Sequence, residues 1–233
     1  MKGISVIIPA LNEAENLSRL LPHLKRHVKH LPSEIIVIEA GECAKTRELC
    51  ALNQVIHIKT EISSRAVQMN RGAKEANYDV LYFVHADTLP PETFYKDIDR
   101  ALSKGFNAGC YRFKFDRDVF PLMLNSFFTR FKPQMFRGGD QSLFVDRTFF
   151  NQLDGFDEKY RLMEEYPFIK KLKSKGQFCV MSRSIIVSSR KYAGNSYFKV
   201  NMVNFLVFAL FHLGLSSNNL KRIYHSLLQI PGA

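Results

Sequence analysis

Apolar positions fall into two patterns along the first hundred residues. Residues 4–9 (ISVIIP), 34–40 (EIIVIEA), 54–58 (QVIHI) and 79–86 (DVLYFVHA) are continuous apolar runs without polar alternation. Such runs predict strands covered on both faces, as in parallel sheets. Between them Leu17, Leu20, Leu21, Leu24 and Val28 recur at helical spacing, with Pro22 expected to kink or restart the helix. Ala66, Met69, Ala73 and Ala76 form a second stripe, of small residues that let a helix approach a sheet closely. Strand–helix alternation of this kind predicts an α/β fold, a mainly parallel sheet sandwiched by helices.

The pattern then loosens. Residues 106–115 alternate and read as a half-buried strand, 141–147 as a short strand into a turn, and 184–190 as another strand. Residues 164–176 predict a helix that carries Pro167 in its first turn and ends at Gly176. Residues 198–215 predict a strongly apolar helix that contains Asn201, Asn204 and His212. That falls short of the roughly 18 uninterrupted apolar residues of a membrane span. A core helix, a homodimer helix or one lying in a membrane interface fits.

Length and composition, 233 residues with 46% hydrophobic, suit one domain, or one domain with an appended element. Charge adds more. Lys and Arg number 33 against 22 Asp and Glu, and the first 100 residues hold 13 of each, so the whole excess of +11 follows residue 100. An anionic ligand, acidic lipid or nucleic acid would suit that half, and so would a merely solvated basic surface. Cys43, Cys50, Cys110 and Cys179 show no CxxC spacing, which argues against a zinc ribbon. Only Lys2 precedes the first apolar run, so no signal peptide is read, and a cytoplasmic protein with reduced thiols is expected.

Candidate chemistry gathers at the predicted strand ends. After the first strand comes PALNEAEN, where Asn12 is placed to cap a helix with Glu15 closing a capping box. The same loop would border a ligand crevice at the carboxyl end of a parallel sheet. Glu39 ends the second strand, where a carboxylate can accept from a ribose or serve as a solvated turn acid. Ser63 and Ser64 open a helix bearing Arg65, Asn70 and Arg71, an arrangement suited to phosphate. His85 and Asp87 end the fourth strand, two residues apart and so on one side if extended. Asp87 is a hard oxygen ligand for Mg²⁺ or Mn²⁺, and an imidazole suits Mn²⁺ better than Mg²⁺. Glu164 and Glu165 open a late helix, where the dipole favours carboxylates and where one can act as a general base.

The order SVIIPALNEAENL, IEAGE, RAVQMNRGA, VHADTLPP, GGDQSLFV and LMEEYPFIKKLKSKG resembles family 2 glycosyltransferases of the GT-A, Rossmann-like fold. It is most similar to the bacterial arsenosugar-biosynthesis-type subgroup, which has HADT where most relatives have D-x-D. The resemblance spans residues 3–192; each motif alone is weak, but six in order are specific. It implies a domain over 1–195, nucleotide-sugar-binding in 1–100 and acceptor-binding in 101–195, followed by an apolar helical segment in 196–233.

By position, the resemblance implies that Pro9, Asn12, Glu13, Glu39, Arg65 and Asn70 hold the nucleotide sugar. Asp87, with His85 as a second ligand, would hold the divalent metal on the diphosphate. Glu165 falls where relatives carry the base. Asp140, Gln141 and Glu164 fall on the acceptor side, and Arg190 with Lys191 would steady the leaving diphosphate. The implied reaction is inverting transfer from a nucleotide-diphosphate sugar to a small-molecule or lipid-linked acceptor. Peripheral contact with the inner membrane face through the basic C-terminal half is compatible, and no specific nucleic acid is expected. The alternatives are a nucleotidyltransferase on a similar sheet, or a non-catalytic module for anionic lipid or nucleic acid. Glu39-Ala40-Gly41-Glu42 departs from the usual D-G-G-S and would reshape the nucleoside pocket.

Overall fold

The computed structural model describes residues 3–117, 119, 122–123, 126–127, 141–192 and 194–229. β1 (Ile4–Ala10), α1 (Ala14–Val28), β2 (Ser33–Ala40), α2 (Ala44–Leu52), β3 (Ile56–Thr60), α3 (Arg65–Glu75) and β4 (Val80–Phe83) alternate along the first part. β1 pairs in parallel with both β2 and β4, and β2 with β3. The continuous apolar runs are explained by burial on two sides. Ile4, Val6 and Ile8 face a core shared with Leu17, Leu20, Leu21 and Leu24 of α1. Ile7, Ile36 and Ile38 face the opposite core, with Ala66, Met69 and Ala73 of α3. The small stripe does bring α3 close: a Cβ at Gly72 would lie 2.4 Å from Ile7 Cγ2.

The second part adds β5 (Thr88–Leu89), α4 (Phe94–Ser103), β6 (Ala108–Phe115), β7 (Leu143–Asp146), α5 (Arg147–Gln152), α6 (Glu165–Lys175), β8 (Phe178–Val187), α7 (Tyr197–His212) and α8 (Ser217–Leu227). Among the described residues the sheet has eight strands in the order β3-β2-β1-β4-β7-β6-β8-β5. β7 runs antiparallel to β4 and β6, β8 is parallel to β6, and β5 is antiparallel to β8. The expected helix-sandwiched α/β sheet is therefore present, parallel in its first half and mixed in its second.

Two features of this topology position the site. The chain leaves β1 for β2 and β3 on one side, then returns to β4 on the other. A crevice opens where such neighbouring strands diverge, beyond their carboxyl ends. The short β5 then pairs Thr88 with Val187, and Ser188 N donates to Asp87 O at 3.1 Å. That pairing carries the end of β8, and the residues after it, to the loop that follows β4.

Some expectations change. α1 continues through Pro22, since Leu20, Leu21 and Leu24 bury around it and outweigh one lost backbone bond. Asn12 does not cap α1; it adopts φ 55°, which asparagine tolerates, and Glu13 occupies the cap position with no side-chain cap bond. The late strand begins at Phe178 rather than 184 and stops at Val187. The apolar 198–215 helix is α7; with α8 it builds a satellite core of Val200, Val203, Val207 and Leu220, packed against Leu162 and Met163.

Candidate active site

A cavity of about 560 Å³ opens at the carboxyl ends of β1 and β4. Its walls include Pro9 at the end of β1, Glu13 after it, Ser64 and Arg65 at the start of α3, and His85 and Asp87 after β4. Arg190 and Lys191 follow β8, and Lys221, Tyr224 and His225 come from α8.

An ion-pair bridge crosses its floor. Arg190 donates from Nη1 to Glu13 Oε2 at 3.0 Å and from Nη2 to Glu13 Oε1. The same Nη2 lies 3.3 Å from Asp87 Oδ2. Burial opposes the charge on Arg190, but its bonds to Glu13 and the charge of Asp87 outweigh it and raise its pKa. Glu13 is thus free of the capping role because its carboxylate is turned to Arg190 and to Asn16.

A second cluster lies behind the wall. His85 Nε2 is 3.3 Å from Glu165 Oε1, and Arg65 Nη1 is 3.5 Å from Glu164 Oε1. Glu164 and Glu165 are only 2% and 6% exposed. The chain reverses just before them at Met163, φ 61°, a left-handed conformation that costs a non-glycine residue and tends to occur where function demands it. The two carboxylates are driven apart. Burial, then the neighbouring charge of Glu165, pushes the Glu164 pKa up to about 6. Burial would raise Glu165 too, but His85 beside it, then the charge of Arg65, hold it below its ordinary value. Split pKa values in adjacent carboxylates are what acid–base chemistry requires.

His85 and Asp87 do not act from one extended strand. β4 ends at Phe83, and a turn forms in which both Thr88 N and Thr88 Oγ1 donate to His85 O. The imidazole goes to Glu165 and the carboxylate to Arg190. Among the described residues no three His, Cys, Asp or Glu side chains converge to hold a metal. Asp87 alone still fits a cation shared with a diphosphate, since Mg²⁺ is commonly held by one or two carboxylates plus substrate oxygens and water.

Other expected residues stand apart from the cavity. Glu39 is buried with His57 Nε2 at 2.9 Å from its Oε2. Asn70 clasps a loop instead: Nδ2 donates to Phe156 O at 2.8 Å and Oδ1 accepts from Phe156 N at 3.0 Å. Asn12 is exposed and does not line the cavity. Gln141 is buried and accepts from Cys110 Sγ at 3.6 Å. Asp140 lies outside the described residues. Conversely, Arg161, Lys221, Tyr224 and His225 line the cavity although no motif marked them. The only sequence signal for them was the late excess of positive charge.

Comparison with known proteins gives a family. The model of glycosyl transferase family 2 matches residues 5–160, more than half of the chain. No protein of curated function matches by sequence. Solved structures match by fold. Residues 1–349 of Staphylococcus aureus TarS align at 16% identity and TM-score 0.64, over 96% of this chain and 69% of that one. The mannosyltransferase PcManGT from Pyrobaculum calidifontis, solved with GDP-Man and Mn²⁺, aligns at 17% and 0.67, over 95% and 68%. Glucosyl-3-phosphoglycerate synthase from Mycobacterium tuberculosis, solved with Mn²⁺, UDP and glucosyl-3-phosphoglycerate, aligns at 16% and 0.58, over 88% and 79%.

Proposed function

The chain belongs to glycosyltransferase family 2, and on that premise we propose an inverting transferase that moves a sugar from a nucleotide diphosphate to an acceptor oxygen. The observation that carries this reading is the convergence of Glu13, Arg65, Asp87 and Arg190 on one cavity, with ionised Glu165 immediately behind His85. The family assignment speaks against the nucleotidyltransferase, and nucleotide binding with transfer distinguishes a transferase from a non-catalytic module on the same fold. HADT and the motifs around it support the arsenosugar-type subgroup as the narrower assignment.

In this reading the nucleotide lies over Pro9 and the start of α3, with its diphosphate towards Arg190 and Lys191. Asp87 would hold a divalent cation, which when bound supplies positive charge to the leaving diphosphate. Arg65 and Arg190 stabilise the same developing charge from fixed positions, at no reorganisation cost during the reaction. Glu165 takes the acceptor proton, and His85, 3.3 Å from it and lining the cavity, connects it to the acceptor. Bond formation from the acceptor oxygen and departure of the diphosphate on opposite faces of the anomeric carbon invert its configuration. The nearby solved structures that contain GDP-Man or UDP with Mn²⁺ support the donor class and the cation.

No helix among the described residues is long and apolar enough to cross a membrane. α7 instead exposes Phe198, Met202 and Phe205 along one side, 80%, 67% and 66% accessible. With the late positive charge, that apolar side supports peripheral contact with an anionic membrane. The transferase reading is tested by nucleotide binding and transfer in Glu165→Gln and Asp87→Ala. Both should lose transfer by at least about a hundredfold, and Glu165→Gln should keep donor affinity. A purified chain that binds no nucleoside diphosphate, with or without Mn²⁺, would refute it.

A further inference from the structure

The cavity is charged unevenly, and the imbalance does not fall where a donor diphosphate would sit. The cavity-lining carboxylates, Glu13 and Asp87, both lie within the family-matched residues 5–160 and are both engaged by Arg190. Arg65 is engaged by Glu164. Beyond residue 160 the chain brings Arg161 and Lys221 to the same cavity, and neither forms an ion pair with a carboxylate among the described residues.

These two cations are held together by design of the backbone. Ser217, 8% exposed in the first turn of α8, accepts through Oγ from Arg161 N and from Leu162 N at 2.9 Å. Its hydroxyl also donates to Leu162 O at 3.2 Å. One turn further, Lys221, Tyr224 and His225 project from one side of α8 into the cavity, as their three- and four-residue spacing requires. Lys221 lies close enough to depress the His225 pKa, behind the larger effect of burial. One arginine and one lysine that line the same cavity offer charge-assisted donors to an oxyanion.

Resting on the transferase reading, we propose that Arg161 and Lys221 form an acceptor subsite, and that the acceptor carries a phosphate group. The donor does not need them: its diphosphate has Arg190, Lys191 and Arg65. The acceptor does, because Arg161 lies three residues before Glu164 on the segment that leads into α6, and Ser217 ties that segment to the helix bearing Lys221. A phosphate seated there would hold the acceptor hydroxyl on the His85–Glu165 side of the cavity.

The test is calorimetric titration of the full chain with inorganic phosphate, alone and with the donor side filled by UDP or GDP and Mg²⁺. Phosphate should still bind in the presence of nucleotide. Arg161→Ala and Lys221→Ala should each weaken phosphate about tenfold, the size of one charge-assisted hydrogen bond, with nucleotide affinity within about twofold. Arg161→Lys and Lys221→Arg should recover part of it, which separates lost charge from lost fold. Phosphate that binds only in competition with nucleotide, or equally in all variants, overturns the proposal. Glycerol 3-phosphate and vesicles with or without phosphatidylglycerol distinguish the source. Dependence on Arg161 and Lys221 for the soluble ligand marks a soluble acceptor, dependence for the vesicles alone marks a lipid-linked one, and dependence for neither overturns the subsite. If no nucleoside diphosphate binds while phosphate binding still needs both cations, the transferase reading fails and the anion site stands.

Discussion

Replacing Glu164 by Gln asks which of two opposing effects controls a buried carboxylate. Glu164 is 2% exposed, so ionising it requires removing a charge from water. Arg65, half exposed and 3.5 Å away, offsets this only in part. Burial, then repulsion from Glu165, wins, and the pKa rises from 4.5 to about 6. A group with a raised folded-state pKa contributes its stability fully below the unfolded value and loses it as pH climbs through the folded one. The loss for Glu164 therefore falls between about pH 4.5 and pH 7, with a size of about 2 kcal/mol. Gln has the same shape and cannot ionise, so Glu164→Gln should gain about 2 kcal/mol on wild type across that window. In a chain of this size that is a relative rise of roughly 4–8 °C in melting temperature. Urea and thermal unfolding of both proteins at matched pH values between 4.5 and 8 would measure it. Parallel stability–pH curves for the two would refute the reasoning. So would a variant less stable at pH 7 than at pH 5 relative to wild type, because the Arg65 pair would then be the stronger effect.

Three further outcomes are expected. Glu13→Gln removes the bidentate partner of Arg190 and should cost about 1 kcal/mol, after allowing for the partial exposure of the pair; the loss should shrink in high salt. Gly72→Ala places a Cβ 2.4 Å from Ile7 Cγ2 and should lower stability by about 1–3 kcal/mol without altering nucleotide affinity. Joint replacement of Phe198, Met202 and Phe205 by Ser should abolish sedimentation with phosphatidylglycerol vesicles; unchanged sedimentation, or a dimer that becomes a monomer, would assign the face to another chain instead.

The sheet was legible because its physics is local. Strands buried on both faces are mostly apolar, and β1, β2 and β4 are buried on both faces apart from the start of β2, matching their runs to within a few residues. The loops after β1 and β4 were legible for the same reason, since a parallel sheet places its crevice at those ends. Asn70 and Glu39 lie apart from the cavity, and their neighbours in sequence do not reveal their partners. Asn70 meets Phe156 across 86 positions, and Glu39 meets His57 on the adjacent strand. Arg161 and Lys221 were invisible as a pair because a single serine, 55 or 56 positions from the amides it accepts, brings their elements together.

The bridge at Arg190 shows how the late part of the chain completes the early one. Of its three carboxylate contacts, the two to Glu13 form a bidentate pair, while the contact to Asp87 is single and long at 3.3 Å. Bidentate geometry is the stronger arrangement, so it is Glu13 that fixes the guanidinium, which lines the cavity. Glu13 thus serves the site by holding Arg190, and capping α1 would have taken its carboxylate away from that task. A change at Glu13 should therefore free Arg190 to follow Asp87, and the two residues should then respond to ligand together.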